Sequence, residues 1–225
     1  MKKYIPSTIT LLNLTCGFIA IILNDILWSP ILIGIGGLLD FLDGFLAKKL
    51  DAISELGKQL DSLADLVTFG VAPAIIYYQH ILPHNYLGII SACFIPAFGA
   101  YRLAKFNIAT DQKDTFKGLP IPANGIFFLS VPFLINFTDY SWFLQIVQIE
   151  YINLSLPFIF GILMASNISM FSFKKIKGII NIQTFYIISI IILIILFQWV
   201  AIPFSILLYI IYSLSFSFII INSSV

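Results

Sequence analysis

Four aspartates lie within two otherwise apolar runs of the chain, and their type and spacing suit metal binding. Asp40 and Asp43 are three residues apart in the first run, and Asp61 and Asp65 are four apart in the second. Residues three or four apart share one face of a helix, so each pair presents two carboxylates to the same side. Carboxylates are hard oxygen ligands that suit Mg²⁺ or Mn²⁺. We therefore predict that the four aspartates hold one or two divalent cations between adjacent helices.

The energetic cost of carboxylates without a partner in apolar helices supports a metal site. An aspartate at the centre of a membrane helix costs about 3 kcal/mol, and neighbouring carboxylates repel one another as well. The nearby lysines are too few to neutralise the cluster and lie at its rim. A structural role or a proton relay is the alternative explanation. Asp51 and Glu55, between the two runs, are expected to be loop-edge charges.

The composition places these acids in a membrane protein. The chain has 225 residues, of which 60% are hydrophobic and 10% are charged, whereas soluble domains carry roughly 25% charged residues. A net charge of +1 argues against a nucleic-acid partner. Spans of about 20 apolar residues predict an all-α, polytopic bundle of about eight transmembrane helices in one membrane domain, residues 1–225. The predicted spans are 5–23, 28–47, 58–78, 86–105, 121–137, 150–170, 179–198 and 202–221.

The distribution of lysine and arginine predicts the orientation of these helices. The last two spans form one long apolar stretch, which we expect to fold back at 197–203, where Trp199 suits an interface and Pro203 suits a helix start. With the N- and C-termini in the cytoplasm, every Lys and Arg falls on the cytoplasmic side, as the positive-inside rule requires. They are Lys2, Lys3, Lys48, Lys49, Lys58, Arg102, Lys105, Lys113, Lys117, Lys174, Lys175 and Lys177.

The spacing of the acids also fits a longer pattern, D-x2-D-G-x2-A-R-x8-G-x3-D-x3-D. The positions that fit are Asp40, Asp43, Gly44, Ala47, Gly57, Asp61 and Asp65. Lys48 stands where the pattern has arginine; it keeps the charge and loses the bidentate geometry. By this pattern the chain resembles the CDP-alcohol phosphatidyltransferase family.

The resemblance implies an enzyme that moves a phosphatidyl group from a CDP-linked lipid to an alcohol and releases CMP. It implies that the four aspartates bind the metal and that Asp65 is also the general base. A homodimer in the cytoplasmic (inner) membrane of a prokaryote is a further implication. For the nucleotide and its phosphates we expect contacts from Asn13, Gly44, Ala47, Lys48, Ser54 and Gly57. For Asn13, a helix–helix hydrogen bond is the equal alternative.

Further stretches are similar to the branch of the family that joins CDP-diacylglycerol and L-serine. They are "IPSTITLLNLTCGF", "LGKQLDSLADLVTFGVAPA", "RLAKFN", "FKGLPIPA" and "LMASNISMFSFKK". This similarity covers 5–175 as a catalytic core and leaves 179–221 as two additional helices without a motif. Arg102, with Asn107, is the candidate for binding the serine carboxylate, since arginine suits bidentate capture of a carboxylate. Contact with the lipid phosphate is the alternative substrate role for Arg102, and a snorkelling anchor of the topology is the structural one.

Two alternatives to the serine transferase remain at the level of the sequence. A sister transferase would use glycerol 3-phosphate or inositol phosphate, although a phosphorylated acceptor should demand more cationic residues near Arg102. A cation- or proton-coupled transporter would use intramembrane acids as its pathway. That pathway should continue to the far side, whereas all four aspartates lie in the predicted cytoplasmic half.

Overall fold

The computed structural model describes residues 4–109, 116–170 and 180–223, and nearly all of these are helical. The helices are α1 (Ile5–Leu23), α2 (Trp28–Lys49), α3 (Glu55–Asp65), α4 (Ala72–His80), α5 (Tyr86–Ile108), α6 (Ile121–Ile135), α7 (Ser141–Val147), α8 (Glu150–Ala165), α9 (Ile180–Phe197) and α10 (Ala201–Ser223). A π-helical turn, Leu66–Val71, joins α3 to α4 without a break. Within the described residues this gives eight long helical segments and the short α7, which confirms the predicted all-α bundle.

Most of these segments can cross a membrane. Five apolar stretches are long enough, namely Ile5–Leu23, Trp28–Lys49, Glu55–His80, Tyr86–Ile108 and Thr184–Ser215. Helices α7 and α8, which meet at a bend of 74°, qualify together as a broken sixth span, and α6 is apolar but shorter. The chain is therefore an integral membrane protein.

The C-terminal hairpin folds back where the sequence predicts it. The apolar stretch Thr184–Ser215 is interrupted by a 3₁₀ turn at Gln198–Val200. The rings of Tyr186 and Tyr212, on either side of that turn, are 5.8 Å apart. Because α9 and α10 pack against each other in this way, they form an antiparallel pair rather than one long helix.

The prediction of one helix over 150–170 is wrong at its C-terminal end. Helix α8 stops at Ala165, where Ser166 adopts an extended conformation. Ser169–Met170 then pairs antiparallel with Phe116–Lys117, forming the short strands β2 and β1. Lys105 Nζ reaches the end of α8 and donates to Ala165 O at 3.3 Å and to Asn167 Oδ1 at 2.6 Å.

Part of the predicted topology lies outside the described residues. Lys2, Lys3, Lys113, Lys174, Lys175 and Lys177 are there, as are the predicted boundaries at 175 and 179. The direction in which the bundle crosses the membrane stays a prediction.

Local hydrogen bonds hold α1 and α2 as a tight hairpin. Asn24 ends α1 in the left-handed region, with φ 44°. Asp25 Oδ1 accepts from the backbone N–H groups of Trp28 at 2.7 Å and Leu27 at 2.9 Å, which starts α2 and lowers the pKa of Asp25. The buried Ser29 hydroxyl donates to Ala20 O at 2.9 Å. These bonds set the register in which the two helices pack.

Glycines let neighbouring helices approach the π-helical turn closely. A Cβ atom on Gly17 of α1 would lie 2.6 Å from Thr68 Oγ1 and 2.8 Å from Thr68 Cα, and one on Gly125 of α6 would lie 2.7 Å from Phe69 O. Thr68 also donates its hydroxyl to the backbone carbonyl of Asn13 at 3.1 Å. A π turn widens a helix, and such turns recur at functional sites. Here the widened turn follows directly after Asp65.

We expect Gly17→Ala to destabilise the protein by about 1–3 kcal/mol, because its Cβ would overlap the backbone of the π turn. The matched control is Gly34→Ala, since a Cβ on Gly34 would meet nothing within 4 Å. Thermal unfolding of both variants in detergent measures the difference. Equal unfolding temperatures for the two variants would contradict the close packing at Thr68.

Candidate active site

Three of the four aspartates converge between α2 and α3. Carboxylate oxygens of Asp40, Asp61 and Asp65 all lie within 4.8 Å of one another. Helices α2 and α3 both pack against α1 and are joined by the short 50–54 connection. Ser54 begins α3 by accepting a hydrogen bond from Gly57 N at 3.0 Å. Asp61 and Asp65 then fall on one face of α3 and point at the face of α2 that carries Asp40.

This cluster has the chemistry of a divalent-cation site. Asp65 is only 9% exposed, and its Oδ1 atom has no hydrogen-bond partner among the described residues. A buried carboxylate oxygen without a partner is costly, and three carboxylates this close repel one another. A divalent cation bound by these oxygens would remove both penalties. The residues therefore fit a metal ion of the Mg²⁺ or Mn²⁺ type.

Asp43 lies beside this cluster and faces α1. It is 5% exposed and accepts a short hydrogen bond from the Thr10 hydroxyl. The sequence analysis did not single out Thr10, although a hydroxyl in an apolar helix that pairs with α2 was the available signal. The structure thus brings three of the predicted metal ligands together and places the fourth against a neighbouring helix.

A cavity of about 220 Å³ opens next to the acids. Its lining includes Asp43, Asp61 and five of the six residues predicted to contact the nucleotide: Gly44, Ala47, Lys48, Ser54 and Gly57. Ser7, Thr10 and Lys58 line it as well and were not predicted to do so. A Cβ on Gly44 would meet no atom within 4 Å, so this part of α2 is open to a ligand.

Asn13, the sixth predicted nucleotide contact, is placed elsewhere. Its side chain is fully buried between helices and lies against Gly36, where an added Cβ would be 2.7 Å from Asn13 Oδ1. Neither Asn13 side-chain polar atom has a hydrogen-bond partner within the described part of the chain. The backbone of Asn13, by contrast, accepts the bond from Thr68.

The two candidate acceptor residues lie on α5, on the other side of α3. Arg102 is 8% exposed, lies within electrostatic range of Asp65, and has no partner for its Nε among the described residues. Asn107 Nδ2 donates to Ser62 Oγ at 2.9 Å, and its carbonyl accepts from Lys58 Nζ at 2.8 Å. Asn107 thus ties the end of α5 to α3, while Arg102 lies deeper, near the acids.

Carboxylates that can hold a divalent cation, beside a cavity lined by Lys48 and Lys58 in a helical membrane bundle, are the features of a metal-dependent site for a phosphate-bearing substrate in a membrane protein. The chain belongs to the CDP-alcohol phosphatidyltransferase family, whose model matches residues 3–211.

Several curated proteins are similar to this chain in sequence. A CDP-diacylglycerol–serine O-phosphatidyltransferase of Bacillus subtilis is 42% identical over 140 residues, which are 60% of this chain and 78% of the relative. The protein of that name from Methanocaldococcus jannaschii is 37% identical over 164 residues, covering 73% and 72% of the two chains. An archaetidylserine synthase of Methanothermobacter thermautotrophicus is 35% identical over 127 residues, 54% of each chain.

Replacing Asp61 by Asn should weaken Mn²⁺ binding at least tenfold, because it removes one of three converging carboxylates. Electron paramagnetic resonance of free Mn²⁺ in a titration of the purified protein measures this without any turnover. Asp51→Asn is the control, since Asp51 is an exposed loop residue whose left-handed backbone, φ 49°, also suits asparagine. Equal Mn²⁺ affinity in both variants would contradict the assigned site.

Gly44→Val should abolish binding of a cytidine nucleotide and leave the protein folded, because Gly44 lines the cavity and an added Cβ would meet no protein atom within 4 Å. Gly34→Val on the same helix is the control, since Gly34 is equally open and does not line the cavity. Titration with CMP in the presence of Mn²⁺ compares the two. Wild-type affinity in Gly44→Val would show that the cavity is not the nucleotide site.

Proposed function

We propose that this chain transfers the phosphatidyl group of CDP-diacylglycerol to the hydroxyl of L-serine, giving phosphatidylserine and CMP. The observation that carries the proposal is the group of three carboxylates within 4.8 Å of one another at the edge of the glycine- and lysine-lined cavity. All three relatives described above carry serine in their names, which supports serine as the acceptor.

The cavity suits the nucleotide half of the donor. Gly44 leaves room for the nucleotide against the backbone of α2, and the ammonium groups of Lys48 and Lys58 balance the charge of the diphosphate. The acyl chains would remain in the bilayer while the head group reaches the acids. In this arrangement the diphosphate lies next to Asp61, which lines the cavity and also belongs to the cluster.

Asp40, Asp61 and Asp65, with Asp43 beside them, would hold one or two divalent ions, Mg²⁺ or Mn²⁺. Such ions supply charge neutralisation of the diphosphate and stabilise CMP as a leaving group. The serine hydroxyl oxygen bonds to the phosphorus of the phosphatidyl group as the bond from that phosphorus to CMP breaks. Asp65 accepts the hydroxyl proton and passes it to water. Arg102 orients serine by its carboxylate, within reach of Asp65.

The same part of the chain supports a proposal for where the reaction takes place. Asp40 and Asp43 lie towards the end of α2 that carries Lys48 and Lys49, and Asp61 and Asp65 lie in the same half of the span Glu55–His80 as Lys58. Positive residues favour the cytoplasmic side. We place the active site and both termini at the cytoplasmic face of a prokaryotic inner membrane.

Residues 5–175 would form the catalytic core and residues 179–221 would form an added hairpin. The chain would act as a homodimer.

With CDP-diacylglycerol and Mn²⁺, the purified protein should release CMP when L-serine is the acceptor. Asp65→Asn should lower that rate by about 10²–10⁴-fold, the range expected for loss of a general base, while Asp51→Asn keeps it. The rate of CMP release is measured by chromatography.

The other acceptors separate the alternatives. Release only with glycerol 3-phosphate or inositol phosphate would keep the aspartate chemistry and overturn serine as the acceptor. No release with any acceptor, in folded and Mn²⁺-bound protein, would overturn the transferase and favour a cation-coupled transporter.

A further inference from the structure

The last helix of the chain packs into the same core as the catalytic helices. Ile206 and Ile210 of α10 are buried in a cluster that also contains Leu103 of α5 and Met170 of β2. Helix α10 contacts α6 and β2 directly. The C-terminal hairpin carries no motif, yet its second helix is part of the bundle around the site.

This packing brings a tyrosine of α10 towards the acceptor side of the acids. Tyr209 and Asp65 both lie within electrostatic range of the buried Arg102 guanidinium. The fully buried Ser213 follows Tyr209 by one helical turn, and its hydroxyl has no hydrogen-bond partner among the described residues. The ring of Tyr186 on α9 packs against Tyr209 with a centroid distance of 6.2 Å, which helps to fix the position of the tyrosine.

Arg102 and Asp65 each carry a buried polar atom that lacks a hydrogen-bond partner in the described part of the chain. These atoms are Arg102 Nε and Asp65 Oδ1. Buried polar groups are nearly always satisfied, and an arginine pairs best with a carboxylate through two parallel hydrogen bonds. A carboxylate that belongs to a small substrate would satisfy Arg102, and the hydroxyl of that same substrate would face Asp65.

We propose that Tyr209 is a positioning residue for the acceptor, its hydroxyl donating a hydrogen bond to the carboxylate of L-serine that Arg102 holds. Helix α10 then forms one wall of the acceptor site, and the hairpin completes that site. This inference rests on the proposed function, because it takes serine as the acceptor.

The chemistry of the Arg102 and Tyr209 side chains favours a singly charged carboxylate. One guanidinium and one phenolic hydroxyl can satisfy the two oxygens of a carboxylate, with the hydroxyl as donor and the arginine as a two-pronged donor. A phosphate monoester carries more charge and more acceptor oxygens than these two groups can match. Tyr209 would therefore contribute to the choice between serine and phosphorylated acceptors as well as to affinity.

The test compares Tyr209→Phe with Tyr212→Phe in the full-length protein, using CMP release with varied L-serine. Both changes remove one hydroxyl from α10, but the Tyr212 hydroxyl bonds to Ser189 within the hairpin at 3.0 Å. We expect Tyr209→Phe to raise the KM for serine about tenfold, because it removes a hydrogen bond to a charged group. Its KM for CDP-diacylglycerol and its kcat should change less than threefold, and Tyr212→Phe should leave all three values unchanged.

The outcomes are separable from those of the proposed function. A wild-type protein that uses serine, together with an unchanged KM for serine in Tyr209→Phe, would overturn the role of Tyr209 and keep the transferase. Equal effects on the KM of both substrates, or equal effects of both variants, would also overturn it. If thermal unfolding shows that Tyr209→Phe does not fold, Tyr209→Met, which also removes the hydroxyl, decides by the same selective rise in the KM for serine. A wild-type protein that ignores serine would overturn the proposed function itself.

Discussion

Mutual repulsion of carboxylates in an apolar bundle is the constraint on which this structure depends. Asp40, Asp61 and Asp65 present oxygens within 4.8 Å of one another, and Asp65 is almost fully buried. Such an arrangement is stable only when the negative charge is balanced, which a divalent cation achieves. The short connection from α2 to α3 and the Ser54 cap of α3 both serve to hold the three carboxylates in this position.

The aspartates are tightly surrounded by helices on one side and border open space on the other. Beyond Asp65 the π turn is packed tightly, with Gly17 and Gly125 allowing two helices to contact its backbone. On the cavity side Gly44 has no neighbour within 4 Å. Small residues therefore serve two opposite purposes: some allow helices to pack closely, and one leaves open space. The tight side keeps the carboxylates rigid, and the open side admits a ligand.

The cluster also divides the site into two regions that share its carboxylates. Asp61 lines the cavity between α1, α2 and α3, where a nucleotide fits. Asp65 is the member of the cluster in range of Arg102 on α5 and, through Arg102, of Tyr209 on α10. A donor on one side and an acceptor on the other would meet at the metal-binding oxygens, as transfer between two bound substrates requires.

The sequence by itself determined the helical membrane fold, the family, and most of the cavity lining, because these depend on local periodicity and on residues close together in the chain. Only the tertiary structure turned Asp43 towards Thr10, buried Asn13 away from the cavity, ended α8 at Ala165 and brought Tyr209 towards Arg102. These outcomes depend on how each helix is rotated and paired. That is decided by packing between distant segments, on which the spacing of residues within one helix carries no information.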